Sequence, residues 1–146
     1  MATQRTIDEA DIRRRIDDGV QAIRAMNLEG VMVLYAPDIV SFDIQPPLRH
    51  VGAEAKRNNW VDVFTTYQPP LDYEIRDLTL AVGDDVAFAC SLNRIGGTLR
   101  NGRRNDAWVR WTACFQKVDG AWLIAHDHVS APLDFASGRA LLDLAP

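Results

Sequence analysis

The sequence is poor in the residues that usually announce a chemistry. It has two cysteines, Cys90 and Cys114, and three histidines in 146 residues. Two cysteines build neither a disulfide framework nor a zinc spacing. Both stand in apolar strand sequence, where a free cysteine packs as a small hydrophobe. There is no glycine-rich phosphate loop, no dinucleotide fingerprint and no Ser-His-Asp order. Positive charge is also thin: Arg100, Arg103 and Arg104 surround a turn, and the net charge is -4. Nucleic acid needs a concentrated positive surface, so it is not an expected partner. No apolar run reaches membrane-spanning length, and MATQRTIDEADIRRR lacks the apolar core of a leader. No membrane association is expected, and a cytoplasmic location is the default. Neither linker, repeat nor composition shift divides the chain, so residues 1–146 read as a single domain.

What is present is an ordinary globular composition, 47% apolar and 25% charged, enough for a real core at this length. Thr6 followed by Glu9 reads as a capping box, after which Ile12, Ile16, Val20 and Ile23 recur at helical spacing to about Met26. Asn27 reads as a new cap for a short helix carrying Val31, Leu34 and Tyr35, ended by Pro37. Ile39 to Ile44 is a short strand. Gly52 opens a third helix with Ala53, Lys56, Trp60, Val63, Phe64 and Tyr67 on one stripe. Then come four strand segments: Leu71 to Val82, Asp85 to Thr98, Arg103 to Lys117 and Ala121 to Ala131. Turn signals at Gly83-Asp84, Asn101-Gly102 and Asp119-Gly120 separate them. The tail with Ala140, Leu141, Leu142 and Leu144 reads as a short helix or an extended arm. Helices grouped ahead of an antiparallel meander make an α+β fold. A long curved sheet wrapped around the N-terminal helices makes a cone-shaped α+β barrel, whose mouth is a natural ligand site.

The stretch DAWVRWTACFQKVDGAWLIAHDHVS, Asp106 to Ser130, decides which side chains enter that cone. In its first strand the odd residues, including Trp111 and Phe115, are apolar and belong inside. A three-residue loop, Val118-Asp119-Gly120, puts Leu123, Ala125, Asp127 and Val129 inside as well. Trp111 then faces Asp127, and Arg110 faces His128. A two-residue turn at Asp119-Gly120 reverses every side chain and brings His126 and His128 inward. Sorting apolar from polar favours the three-residue loop, because burying unpaired polar groups costs free energy. His126 and His128 share a face and could ligate metal, but no third ligand stands near them in sequence, and a hydrogen-bonded interface pair with Arg110 or Asp106 is expected instead.

The candidate catalytic residues are therefore Asp43 and Asp127. Two carboxylates in one apolar pocket form an acid/base apparatus, each raising the other's proton affinity. Ser41 shares a strand face with Asp43. Asn93 is a candidate orienting group, and Trp60 and Trp111 are apolar walls. No metal or organic cofactor is required. The expected ligand is a small, largely apolar molecule.

The run LYAPDIVSFDI, the helix after VGAEA and the close FQKVDGAWLIAHDHVSAPLDF resemble the nuclear transport factor 2-like superfamily, and within it SnoaL-like and ketosteroid isomerase-like proteins. The close is also similar to the association domain of calcium/calmodulin-dependent kinase II, which assembles subunits. The resemblance implies the cone and a homodimer through the outer sheet face. The ketosteroid isomerase base falls on Asp43. The oxyanion tyrosine of those enzymes falls near Gly19 and their partner acid near Trp111 or Thr112, so neither group is present. In limonene epoxide hydrolases, which are similar in FQKVDG and the strand after it, the last-strand aspartate falls on Asp127. Their tyrosine and asparagine fall on Ser41 and Asp43, and their central arginine and aspartate on Ser91 and Asn93. The resemblance thus implies that Ser41, Asp43, Asn93 and Asp127 line the pocket. It implies an isomerase- or lyase-type acid/base enzyme (isomerase, cyclase, dehydratase or hydratase), or else a non-catalytic ligand-binding or dimerisation domain of the same fold.

Overall fold

The spacing of Ile12, Ile16, Val20 and Ile23 becomes the buried face of helix α1 (Gln4–Arg24). The fold is seen in a computed structural model that describes residues 2–146. The cap lies one turn earlier than expected: Thr3, not Thr6, accepts from the Thr6 backbone N–H at 3.2 Å. Glu9 reaches Arg13 instead, at 3.3 Å. Asn27 caps α2 (Leu28–Met32) by accepting from Gly30 N. That helix ends earlier than Pro37, because strand β1 (Tyr35–Phe42) has already begun. Pro37 sits where the ladder of β1 is irregular, between Tyr35 and Val40, a position that tolerates a missing N–H.

A short strand β2 (His50–Val51) pairs with β1, and α3 (Ala53–Thr66) follows from Gly52 at φ 90. The chain then runs through β3 (Asp72–Val82), β4 (Val86–Thr98), β5 (Arg104–Val118) and β6 (Ala121–Ser130), each antiparallel to the last. Strand β1 lies parallel beside β6, so the sheet order is β2-β1-β6-β5-β4-β3. The tail forms a small hairpin, β7 (Leu133–Asp134) and β8 (Arg139–Ala140), then an arm that passes the carbonyl of Leu142 to Trp108 N. The architecture is an α+β cone: a curved, mostly antiparallel sheet around the three helices. Among the described residues, no helix is long and apolar enough to cross a membrane.

The turn before β6 is the two-residue one. Asp119 and Gly120 both have positive φ, 50° and 81°, and Val118 pairs with Ala121. Trp122 and Ile124, each 1% exposed, therefore point inward in place of Leu123 and Ala125. The parity does not persist. Phe115 pairs with Ile124, but Cys114 pairs with His126, so Ala125 is an extra residue in a β-bulge. One inserted residue reverses the alternation. Beyond it Asp127 is buried and His128 is exposed, as the other loop would have given. The pairings shift accordingly: Trp111 faces Val129, Ala113 faces Asp127 and Arg110 faces Ser130. Phe42 packs edge-on against His126 and His128 on the outer side, with ring centroids 4.7 and 5.6 Å away.

At the narrow end, the buried carboxylate of Asp8 accepts from Lys117 Nζ at 2.9 Å, Gln4 Nε2 at 3.1 Å and Trp122 Nε1 at 3.2 Å. This pins α1 to β5 and β6. Gly19 packs against the side chain of Leu34, just ahead of β1; a Cβ there would lie 2.7 Å from Leu34 Cδ1, which would have to shift.

Candidate active site

The cone encloses a cavity of about 320 Å³ walled by side chains such as Ile16, Val20, Trp60, Ile75, Val109 and Trp111. Its polar end is assembled from three elements. Strand β1 alternates, so Ile39 and Ser41 point inward while Phe42 points out, and Asp43 follows at the strand's end. Strand β6 delivers Asp127 from just beyond the bulge. Helix α3 lays Lys56 and Asn59 on its inner side.

Lys56 is the centre of this group and is 3% exposed. Its Nζ lies 2.9 Å from Asp127 Oδ2, 3.2 Å from Ser41 Oγ and 3.4 Å from Asp43 Oδ2. An ammonium has three N–H donors, and three oxygens receive them. Ser41 Oγ donates to Asp127 Oδ1 at 2.5 Å. Asp43 accepts from Asn59 Nδ2 at 3.2 Å and from Ile44 N at 2.7 Å. Burial opposes the charge on Lys56, but the Asp127 and Asp43 carboxylates favour it, and its pKa stands above the ordinary lysine value. Desolvating a lone ammonium would be prohibitive; two carboxylates and a hydroxyl make this one tolerable.

Two phenols face the same space. Tyr35 Oη accepts from Trp60 Nε1 at 2.9 Å, and Tyr73 Oη accepts from Asn93 Nδ2 at 2.7 Å. Asn93 is itself turned by Ser91, whose Oγ donates to Asn93 Oδ1 at 2.6 Å. Burial drives the Tyr35 phenol far above its ordinary pKa and pushes Tyr73 up to about 12. Both stay protonated at neutral pH.

The structure thus brings Asp43, Asp127, Asn93, Trp60 and Trp111 to the cavity. Three expectations change. The two carboxylates do not face each other bare, because Lys56 stands between them. Ser41 donates to Asp127 Oδ1 and Lys56 Nζ pairs with its Oδ2, so Asp127 holds Lys56 and Ser41 in place. Ser41 is not a lining residue: it is 1% exposed and lies behind Asp127. Sequence reasoning placed Lys56 on the apolar stripe of α3 without giving it a role. A charged residue at a core-facing position was the available signal, since lysine is almost never fully buried unpaired. Tyr73 carried no comparable signal; its neighbours on β3 are half-buried on both faces.

Residues 12–134 match the SnoaL-like domain. No curated protein sequence matches the chain. Among solved structures, it is similar to an NTF2-like protein of unknown function from Pseudomonas putida KT2440, with 33% identity over 97% of this chain and 98% of that one and a TM-score of 0.87. It is also similar to a candidate calcium/calmodulin-dependent protein kinase II association domain from Xanthomonas campestris (27% identity, 83% and 85% covered, TM-score 0.72). A third similar fold is a ketosteroid isomerase-like protein from Erwinia carotovora atroseptica (23% identity, 83% and 93% covered, TM-score 0.70). The match over most of the chain and the shared cone agree: this chain belongs to the SnoaL-like family and has the NTF2-like fold.

Proposed function

We propose that the chain is a small-molecule enzyme that transfers a proton on a largely apolar substrate held in the cone, in the manner of an isomerase or lyase. One observation carries this reading: a largely apolar cavity ends in a buried cluster of Asp43, Lys56 and Asp127. Asp43 is the base. It is the more accessible carboxylate, with its side chain 12% exposed against 2% for Asp127. Its oxygens are oriented by Ile44 N, Asn59 and Lys56, as a positioned base requires. Lys56 supplies fixed positive charge where negative charge develops on the substrate, in a site where little water screens it. Asp127 and Ser41 fix Lys56. Asn93 acts through Tyr73, and Trp60 and Trp111 form apolar walls. The protein works as a homodimer through the outer face of the sheet, where Phe42, Val86 and Phe88 are exposed.

The test is solvent deuterium exchange at carbon next to the carbonyl in a panel of bicyclic ketones, followed by proton NMR. Exchange catalysed by the wild type and lost in Asp43→Asn supports the reading. A second reading, a ligand-binding domain without chemistry, is favoured by the donors already occupying Asp43 Oδ2. Tight ketone binding with no exchange at any pH would select it.

A further inference from the structure

We infer that residues 141–146 strap the side of the cone where β6 stops short, and that Leu142 sets the length of ligand the cavity takes. This rests on the proposed reading of the cavity as a small-molecule site, but not on any proton transfer in it.

The opening comes from unequal strands. The last residue of β6 to pair with β5 is Ser130, opposite Arg110. Strand β5 continues outward to Arg104, and along that stretch β4 is its one strand neighbour among the described residues. The other edge carries N–H and C=O groups with no strand beside them. The tail returns to this edge. The hairpin of β7 and β8 reverses the chain at Gly138, φ 71, and the Asp134 carboxylate accepts from Ala136 N at 3.2 Å and from Ser137 Oγ at 2.8 Å. Leu141 N then donates to Pro132 O at 2.8 Å, and Leu142 O accepts from Trp108 N at 3.2 Å, on the edge that β6 left open. Leu142 thereby joins Asn105, Ala107 and Val109 in lining the cavity.

Its position gives Leu142 its task. Asp127 lies opposite Ala113, and Trp108 is five residues further along β5, about 17 Å away at the rise of a strand. The cavity thus has the Asp43, Lys56 and Asp127 cluster at one end and the strap at the other. A ligand whose polar group meets the cluster points its far end at Leu142. The strap is also the wall most easily moved. Leu142 is 40% exposed, and among the described residues 143–146 make no backbone hydrogen bond. A segment with few buried contacts and exposed hydrogen bonds opens at low free energy. A short ligand packs against Leu142; a longer one has to displace it.

The experiment uses the full chain and three probes, 2-acetylnaphthalenes carrying a methoxy, butoxy or hexyloxy group at carbon 6. Affinity is followed by tryptophan fluorescence, and opening of the strap by amide hydrogen exchange at Trp108. Leu142→Ala should raise the affinity for the hexyloxy probe relative to the methoxy probe by about tenfold, and Leu142→Trp should lower that ratio. The Trp108 amide should exchange faster than that of Ala113 at the centre of β5. The methoxy probe should slow it and the hexyloxy probe should speed it. A ratio unmoved by both substitutions, a Trp108 amide as slow as that of Ala113, or no binding of any probe would overturn the strap. The two proposals fail separately. A length preference that follows Leu142 in a protein catalysing no deuterium exchange keeps the strap and removes the chemistry. Deuterium exchange whose length preference ignores Leu142 does the reverse.

Discussion

At the residue scale, Lys56 ties strand β1, strand β6 and helix α3 into one polar end of the cavity. Removing one partner of a buried ion pair leaves an uncompensated charge, at a cost of about 3–5 kcal/mol. Lys56→Met is therefore expected to lower the unfolding free energy by about that amount in urea titrations, since it strands two carboxylates. Because Lys56 and Asp127 lie 2.9 Å apart, a double-mutant cycle with Asp127→Asn should show coupling of at least about 1 kcal/mol. Additive effects would mean the pair is incidental. The other buried acid makes a pH prediction. Hydrogen bonding from Lys117, helped by Trp122 and Gln4 and opposed by burial, holds Asp8 below its ordinary pKa of 3.8. In acid the unfolded chain binds the proton first, so stability falls as pH falls. The contribution of Asp8 is complete above pH 3.8 and is lost as pH drops through its lower folded value. Asp8→Asn should be less stable at neutral pH and lose less on acidification; an acid limb as steep as the wild type's would remove Asp8 from the account.

At the scale of elements, two local features cancel. The Asp119-Gly120 turn sets one parity for β6 and the bulge at Ala125 sets the opposite one, so Asp127 faces inward for a reason that turn chemistry alone does not supply. The sequence supported the α+β order, the boundaries of β3 to β6 to within a residue and the inward aspartate, but it started β1 four residues late and missed the short strands β2, β7 and β8. It could not show the bulge, because Leu123, Ile124 and Ala125 are all apolar and alternation is silent across them. It could not show the Lys56 cluster either, since that requires knowing that residues 41, 56 and 127 meet. Both turn residues lie in the left-handed region, which costs a residue with a Cβ about 1–2 kcal/mol. Gly120→Ala, at φ 81, is expected to lower the thermal midpoint by several degrees, on the order of 2–8 °C. Asp119→Asn should be neutral or slightly stabilising, because asparagine tolerates this conformation well. Equal tolerance of both substitutions would show that the two-residue turn does not set the register.

On the scale of the whole molecule, the sheet has an inner face that lines the cavity and an outer face that carries exposed apolar side chains. Along β4 the odd residues Ala87, Ala89, Ser91 and Asn93 are buried toward the helices, and Val86 and Phe88 stand outside, 55% and 48% exposed. On the same outer side lie Phe42, His126, His128 and Cys114. A monomer gains nothing by exposing this apolar surface, and a second copy would cover it. An isologous pair needs about 800 Å² per partner to be stable, which the outer face of a sheet built from strands of 10, 13 and 15 residues can provide. Phe88→Asp puts a carboxylate into that surface without touching the cavity, since its side chain leaves the opposite face. Sedimentation velocity at micromolar concentration should give a dimer for the wild type and a monomer for Phe88→Asp. Ketone binding in the cavity should change by less than about twofold, as expected for sites that share no partners. A monomeric wild type would overturn the dimer. A monomeric Phe88→Asp that also lost ketone binding would mean that the partner helps to shape the cavity, and the separation of the two faces would be wrong.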